Sequence, residues 1–314
     1  MRCRFAKKSE IAGPVLACSL VLITSLLAGA RAVAQSRQPV SVYVTVTKED
    51  KLISGLSESN FRLYEDGKPV EFKLEEPEKP VTIALLAEFS QSSAAYFNDV
   101  EASIRGFMNA APEGNWYALA TFAQKLEVNV DFTKLHGKIA EAFGSLGRPM
   151  SAEINTYDAV YDMLEAMRRH PGRAVLIVIG SGLNSFSTQN LNAVRKQVRA
   201  SNITIFGVGT GSAFRGRYAN YLSSHHRMTL LQAQNFLRTL ADESGGESWF
   251  PKFEQAFPDV IAGTMQVVDL QYRLVYTPHA QQDGKFHKFK VEAFRDINGK
   301  REKYKAIARA GLQF

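Results

Sequence analysis

Between residues 81 and 268, short apolar runs alternate with stretches patterned for amphipathic helices, and this alternation constrains the fold more than any other feature. Residues 82–87 (TIALLA) and 174–179 (AVLIVI) lack a polar face altogether, as expected of central strands covered on both sides. Residues 117–122 and 203–209 read as further strands, 126–130 as a hairpin partner of the first of these, and 248–250 as a short edge strand. Between them, residues 94–110, 135–143, 157–169, 191–200, 229–244 and 257–270 carry apolar side chains at helical spacing. Phe97, Val100, Ile104, Phe107 and Met108 line one face of the first. Such an order predicts a doubly wound, mostly parallel sheet over residues 81–270.

The flanks have a different period. Val40, Val42, Val44 and Val46 alternate with Ser41, Tyr43, Thr45 and Thr47, which predicts a half-buried strand. Asp66-Gly67 marks a tight hairpin turn, with residues 70–74 as the return strand. Residues 75–80 read as a stiff polar linker. Residues 271–276, 286–294 and 304–308 are strands again, separated by turns at 282–285 and 297–300. Neither flank, 39–80 or 271–314, buries enough surface to fold alone. Together they predict one small antiparallel β-sandwich, built from both ends of the mature chain, into which the α/β unit is inserted.

Residues 1–34 read as a signal peptide. Arg2, Arg4, Lys7 and Lys8 precede an uncharged stretch, residues 11–30, and Ala32-Val33-Ala34 supplies a small-x-small cleavage signal. The alternative is an uncleaved membrane anchor, since about 20 uncharged residues suffice to span a bilayer. With Arg31, the segment holds five of the 38 basic residues, and with Glu10 one of the 31 acids, so cleavage lowers the net charge from +7 to +3. That modest balance argues against a nucleic-acid partner. Cys3 and Cys18 leave with the segment, so the mature chain has no disulfide, thiol nucleophile or cysteine metal ligand.

Oxygen-bearing side chains crowd the end of the first α/β strand: Glu88, Ser90, Ser92 and Ser93. Open α/β sheets bind ligands at this edge, and carboxylate and hydroxyl oxygens suit hard divalent cations. Glu88-Phe89-Ser90-Gln91-Ser92 resembles the Asp-x-Ser-x-Ser motif of von Willebrand factor type A (VWA) domains, with both serines matched. Gly55-Leu56, Phe61 and Glu65-Asp66-Gly67 ahead of it, and Gln271-Tyr272 and Asp283 to His287 behind it, resemble a secreted bacterial VWFA-related family over nearly all of the mature chain.

The resemblance implies a VWA (Rossmann-like) fold and a metal site drawn from three loops. The first loop offers Glu88, Ser90 and Ser92, with a Glu where Asp is usual. A methylene too many displaces the carboxylate by more than about an ångström, a large error for the near-ideal octahedron of Mg²⁺. In the second loop, counting back without gaps reaches Ile154, whereas a shifted register makes Thr156 the ligand. The third loop, Thr-Asp-Gly in the family, is Gly180-Ser181-Gly182 here, so its acid is gone. The expectation is a degenerate site at Glu88, Ser90, Ser92, Thr156 and Ser181 with no stable cofactor. With no metal, Ser90 and Ser92 are expected to cap a helix; a weakly held Mg²⁺ or other divalent cation is the alternative.

Other motifs point to plain structure. Gly207-Val208-Gly209-Thr210-Gly211 lacks the third glycine and the acid of a dinucleotide loop. Gly180-Ser181-Gly182 is not a nucleophile elbow, and no histidine and acid are designated to activate Ser181. His225-His226 reads as surface loop, and Asp158 as a first-turn residue suiting the helix dipole. The long aromatic loop with Phe214, Arg215, Arg217, Tyr218 and Tyr221 is a candidate partner-binding surface. These readings predict an exported, non-enzymatic protein-interaction module of VWA type. The alternatives are a small-ligand binder or enzyme using the same sheet edge, and a membrane-anchored structural protein of the envelope.

Overall fold

The computed structural model describes residues 38–170, 172–212, 223–279 and 284–313. The first flank forms β1 (Val40–Lys48), β2 (Lys51–Leu52), β3 (Phe61–Glu65), β4 (Lys68–Val70) and β5 (Lys73–Glu75). The central unit runs β6 (Thr82–Glu88), α1 (Phe97–Ala110), β7 (Trp116–Phe122), β8 (Leu126–Thr133), α2 (Gly137–Gly144), α3 (Thr156–Met167) and β9 (Ala174–Gly180). It continues through α4 (Leu191–Ala200), β10 (Ile203–Gly209), α5 (Ser224–Ser244), β11 (Ser248–Trp249) and α6 (Phe257–Leu270). The last flank adds β12 (Tyr272–Tyr276), β13 (Phe286–Ile297), β14 (Lys300–Ala308) and β15 (Gly311–Gln313).

The central sheet has the order β11-β10-β9-β6-β7-β8. All its pairings are parallel except β7–β8, the expected hairpin. Along β6, Ile83, Leu85 and Ala87 enter one apolar cluster with α1, α2 and α6, while Ala84 and Leu86 enter another with α3, α4 and α5. Helices on both faces leave this strand no polar side, which is why its sequence does not alternate.

The flanks pair with each other. β1 lies between β12 and β14, with Val42 opposite Leu274 and Val46 opposite Ala306. β3 lies beside β13, with Leu63 opposite Val291. All nine strands join one antiparallel hydrogen-bonded sheet, ordered β4-β3-β13-β14-β1-β12-β5 with β2 and β15 at its sides. The expectation of a sandwich is thus replaced by a single sheet. Strands far apart in that order, β4 through Val70 and β12 through Leu274 and Tyr276, still meet in one apolar cluster. The sheet therefore wraps round its own core instead of stacking two layers.

Three local expectations change. β1 is not half-buried: Tyr43, Thr45 and Thr47 are only 5%, 1% and 7% exposed. Their face meets the central unit, where the Arg173 guanidinium sits 4.6 Å over the Tyr43 ring and Gln271 Nε2 donates to Thr45 Oγ1 at 3.0 Å. Residues 70–74 do not form one return strand. After the Asp66-Gly67 turn (φ 50° and 79°) β4 pairs with β3, but β5 crosses to β12. Helix α5 begins at Ser224 rather than 229, because the Ser223 hydroxyl accepts from His226 N at 3.2 Å as an N-cap. His225 and His226 accordingly lie in its first turn and not in a loop.

Candidate functional site

Parallel strands β6, β9 and β10 bring Glu88, Ser181 and Thr210 to the carboxyl edge of the sheet. Glu88 ends β6 and is 1% exposed. Its longer side chain crosses to the neighbouring strand, where Oε2 accepts from Ser181 N and Ser181 Oγ, both at 2.7 Å. Gly180 makes room for this crossing, since a Cβ there would stand 2.9 Å from both Glu88 Cβ and Oε2. Ser181 Oγ in turn accepts from Leu183 N at 3.1 Å. The Glu in the first loop and the Ser in the third are thus complementary.

The serine hydroxyls of the first loop and the Thr156 hydroxyl are also engaged, whereas Thr210 Oγ1 is buried without a hydrogen-bond partner among the described residues. Ser90 N-caps the 3₁₀ turn Gln91–Tyr96, accepting from Ser93 N at 3.2 Å, while Ser93 Oγ donates to Ser90 O at 3.0 Å. Ser92 does not cap. It donates to Ala152 O at 2.6 Å, and Gln91 N donates to Ser151 O at 2.8 Å, so the second loop lies across the first. The register of that loop is resolved: Ile154 is buried in the core, and Thr156 opens α3 with its hydroxyl donating to Leu183 O. Asp158 sits in the first turn of α3 as expected. It also accepts from Thr188 N (2.9 Å) and Gln189 N (2.7 Å), tying down the third loop.

As a test for a divalent cation, this donor set offers one carboxylate. Oε2 of that carboxylate is taken by Ser181, and Oε1 is buried without a hydrogen-bond partner among the described residues. The hydroxyl protons of Ser92, Ser93, Thr156 and Ser181 are all directed at protein oxygens. The five positions do not fit an octahedral ion that depends on convergent charged oxygens. Among the described residues, no three of His, Cys, Asp and Glu gather as a metal-binding group.

Two acids at this edge are shifted upward. Burial pushes the Glu88 carboxyl above the usual carboxylate range, and hydrogen bonding by Ser181 only partly opposes this. Burial also raises Asp99 on α1, which accepts from Gly211 N at 3.0 Å. Asp99 carries no mark of this role in the sequence, where it is one polar residue in the first turn of an amphipathic helix. Burial, with Glu88 and Asp99 nearby, raises Tyr96 as well.

The sign of the pH effect follows. Below about 4.3, the ordinary Glu value, folded and unfolded Glu88 are both protonated and the group's contribution to stability is complete. It is lost as pH rises from there through the higher folded value, since only the unfolded chain releases its proton freely. Glu88→Gln keeps an acceptor for Ser181 but has no proton to lose. The variant is expected to lose less stability than the natural protein between about pH 4 and pH 8. Thermal melts across that range check it, and a constant gap between the two proteins would contradict it.

The candidate partner-binding residues Phe214, Arg215, Arg217, Tyr218 and Tyr221 lie outside the described residues, as does the segment 1–34. Elsewhere at this edge the structure reveals what periodicity could not. The three most exposed large apolar side chains among the described residues, Met150 (87%), Phe186 (75%) and Phe253 (70%), stand on three different loops at the carboxyl edge. No described helix is long and apolar enough to cross a membrane.

No protein-family profile matches the chain, and no curated protein matches it. Among solved structures it is similar to an aerotolerance-related membrane protein from Bacteroides fragilis NCTC 9343, at 14% identity and TM-score 0.47, covering 60% of this chain and 99% of that one. It is similar to the vWF domain of the type V pili tip protein Mfa5 from Porphyromonas gingivalis, at 14% identity and TM-score 0.43, covering 60% and 95%. BatB from Bacteroides thetaiotaomicron is similar at 10% identity and TM-score 0.44, covering 60% and 98%. By its own strand order, with the Glu-x-Ser-x-Ser loop at the carboxyl edge of β6, the central unit of this chain has a VWA-like fold.

Proposed function

We propose that this chain is an exported, non-enzymatic protein-interaction module that engages its partner through the carboxyl edge of the α/β sheet, without a stably bound divalent cation. The observation that carries the reading is the exposure of Met150, Phe186 and Phe253 on separate loops of one edge. Three large apolar side chains held in water on loops of the same sheet edge favour that edge as the contact surface. The hydroxyls of Ser92, Thr156 and Ser181 at this edge are committed to main-chain oxygens or to Glu88, which favours a stiff platform over a reactive centre. Ser181 has Glu88 as its partner, and a carboxylate alone does not supply the base and its orienting acid that acyl transfer requires. Export rests on the basic, apolar and Ala-x-Ala pattern of residues 1–34.

The test is affinity capture from the native cell envelope in the presence of EDTA. The natural protein is expected to retain a partner under chelation. The double variant Phe186→Asp with Phe253→Asp is expected to retain at least about tenfold less, as a loss of 1.4 kcal/mol at a contact would produce. Capture that requires added Mg²⁺, or that ignores the double variant, would overturn the reading.

A further inference from the structure

Beside the closed hydroxyl cluster lies a groove of about 460 Å³, between the β7–β8 turn and the loop that follows α2. Its volume falls within the range of ligand sites, about 300–1,000 Å³. Phe89, Phe122, Leu146 and Met150 give it apolar lining, and Lys125 and Arg148 add two cations against one acid, Glu127. Lys125 and Arg148 are both exposed, and neither forms an ion pair among the described residues. Met150 is almost fully in water.

We propose that this groove binds an acidic, apolar peptide segment of the partner protein, with Lys125 and Arg148 meeting its carboxylates directly. The proposal rests on the interaction-module reading and names the subsite and the partner's chemistry. Three observations support it. The second loop is fixed rather than free, because Ser151 O and Ala152 O accept from Gln91 N and Ser92 Oγ. Main-chain recognition is largely used up at the turn: Phe122 O accepts from Phe89 N, Ala123 O from Asn155 N, and Gln124 O from Asn155 Nδ2. At the turn a bound segment is therefore read mainly by side chains, and the groove offers two cations without ion pairs, one acid and an apolar lining. A guanidinium binds carboxylate through two parallel N–H bonds, and an ammonium adds a point charge. A segment alternating acidic and apolar residues complements both.

The test titrates the full chain, labelled at its methionine methyls, with three blocked hexapeptides in EDTA: (Leu-Glu)₃, (Leu-Lys)₃ and (Ser-Glu)₃. Met150→Leu assigns the reporting methyl. The (Leu-Glu)₃ peptide is expected to shift the Met150 signal and to bind at least tenfold more tightly than either of the others. Lys125→Glu with Arg148→Glu is expected to reverse the preference toward (Leu-Lys)₃. Absence of binding, equal binding of the three peptides, or an unchanged preference in the charge-reversed variant would each overturn the proposal. Sedimentation of the free protein supplies another arm: a dimer abolished by the charge reversal would make the occupant a second copy and overturn the peptide assignment. The two readings fail separately. Envelope capture lost in Phe186→Asp with Phe253→Asp but intact in the charge-reversed variant would remove the groove and leave the interaction module standing.

Discussion

A chain ending at Gln271 is expected to lose the ordered structure of residues 40–75 although none of those residues is altered. β1 has β12 on one side and β14 on the other, and β5 has only β12. β3 keeps β4 but loses β13. What remains is two short ladders, β1–β2 and β3–β4, and isolated two-stranded hairpins are marginal in water. The cluster around Val42, Val44, Phe61 and Leu63 would also lose Leu274, Tyr276, Phe289 and Ala293. Ending the chain at Gln271 retains the contacts of Arg173 Nη2 with Val268 O and Gln271 Oε1, so the central unit keeps its own hydrogen bonds to this buried cation. Amide exchange in β1 is expected to speed up by about a thousandfold or more, the signature of losing roughly 4 kcal/mol of local protection. Unchanged protection of residues 40–48 in the shortened chain would contradict the pairing. The reciprocal variant Val44→Asp should expose β12 and β14 to proteolysis while leaving the α/β helices folded.

Replacing Arg309 by Met is expected to be the most damaging single substitution outside the apolar cores. Arg309 is 4% exposed and carries no carboxylate partner among the described residues. Its guanidinium instead donates to three oxygens: Gly311 O (2.8 Å), Asn202 Oδ1 (2.6 Å) and Ser201 O (2.8 Å). It thereby fastens the end of β14 to the turn between α4 and β10. Burial lowers its pKa to about 10, which still leaves it charged at neutral pH. Methionine keeps much of the stem volume but leaves acceptors without a donor, each costing about 1–3 kcal/mol when buried. A total loss of about 3 kcal/mol or more corresponds to a melting temperature lower by about 6–12 °C in a chain of this size class. Calorimetry should find Arg309→Lys in between, since one ammonium cannot reach all three acceptors. A change below about 2 °C in the Met variant would mean that water replaces the guanidinium.

What the sequence disclosed follows from how each segment is buried. Strands β6 and β9 are covered on both faces and announce themselves as apolar runs, and α4, β10 and α6 have the boundaries that their patterns predict. β1 misled because its second buried face is polar: the Tyr43 ring packs against the Arg173 guanidinium and Thr45 accepts from Gln271, residues with no local mark of that duty. The break between β4 and β5 was hidden for a similar reason. Val70 to Leu74 alternates correctly for one strand, and only the presence of β12 as an alternative partner divides it. At the site, the missing acid of the third loop was visible, but not that Glu88 would reach Ser181 and close the gap. The groove was invisible because its lining is gathered from three separate stretches of chain.

The placement of β1 also has a consequence for how the chain comes to be folded. Ser41 and Arg273, hydrogen-bonded across β1 and β12, are 232 residues apart in sequence. A chain made from its N-terminus therefore produces an interior strand of its antiparallel sheet first and that strand's two long partners, β12 and β14, last. Contacts of such long range form late, because the loop between them must be closed before they contribute. The α/β unit, whose strands are joined by nearer neighbours, can condense in the interval and shorten the effective loop. Until β12 and β14 arrive, Val42, Val44 and Val46 present a β-branched segment with both edges open, the kind of surface that associates with other chains. Residues 40–48 thus stay open to association with other chains until the C-terminal strands are made, and a chaperone that holds nascent β-strands apart would protect them in that interval.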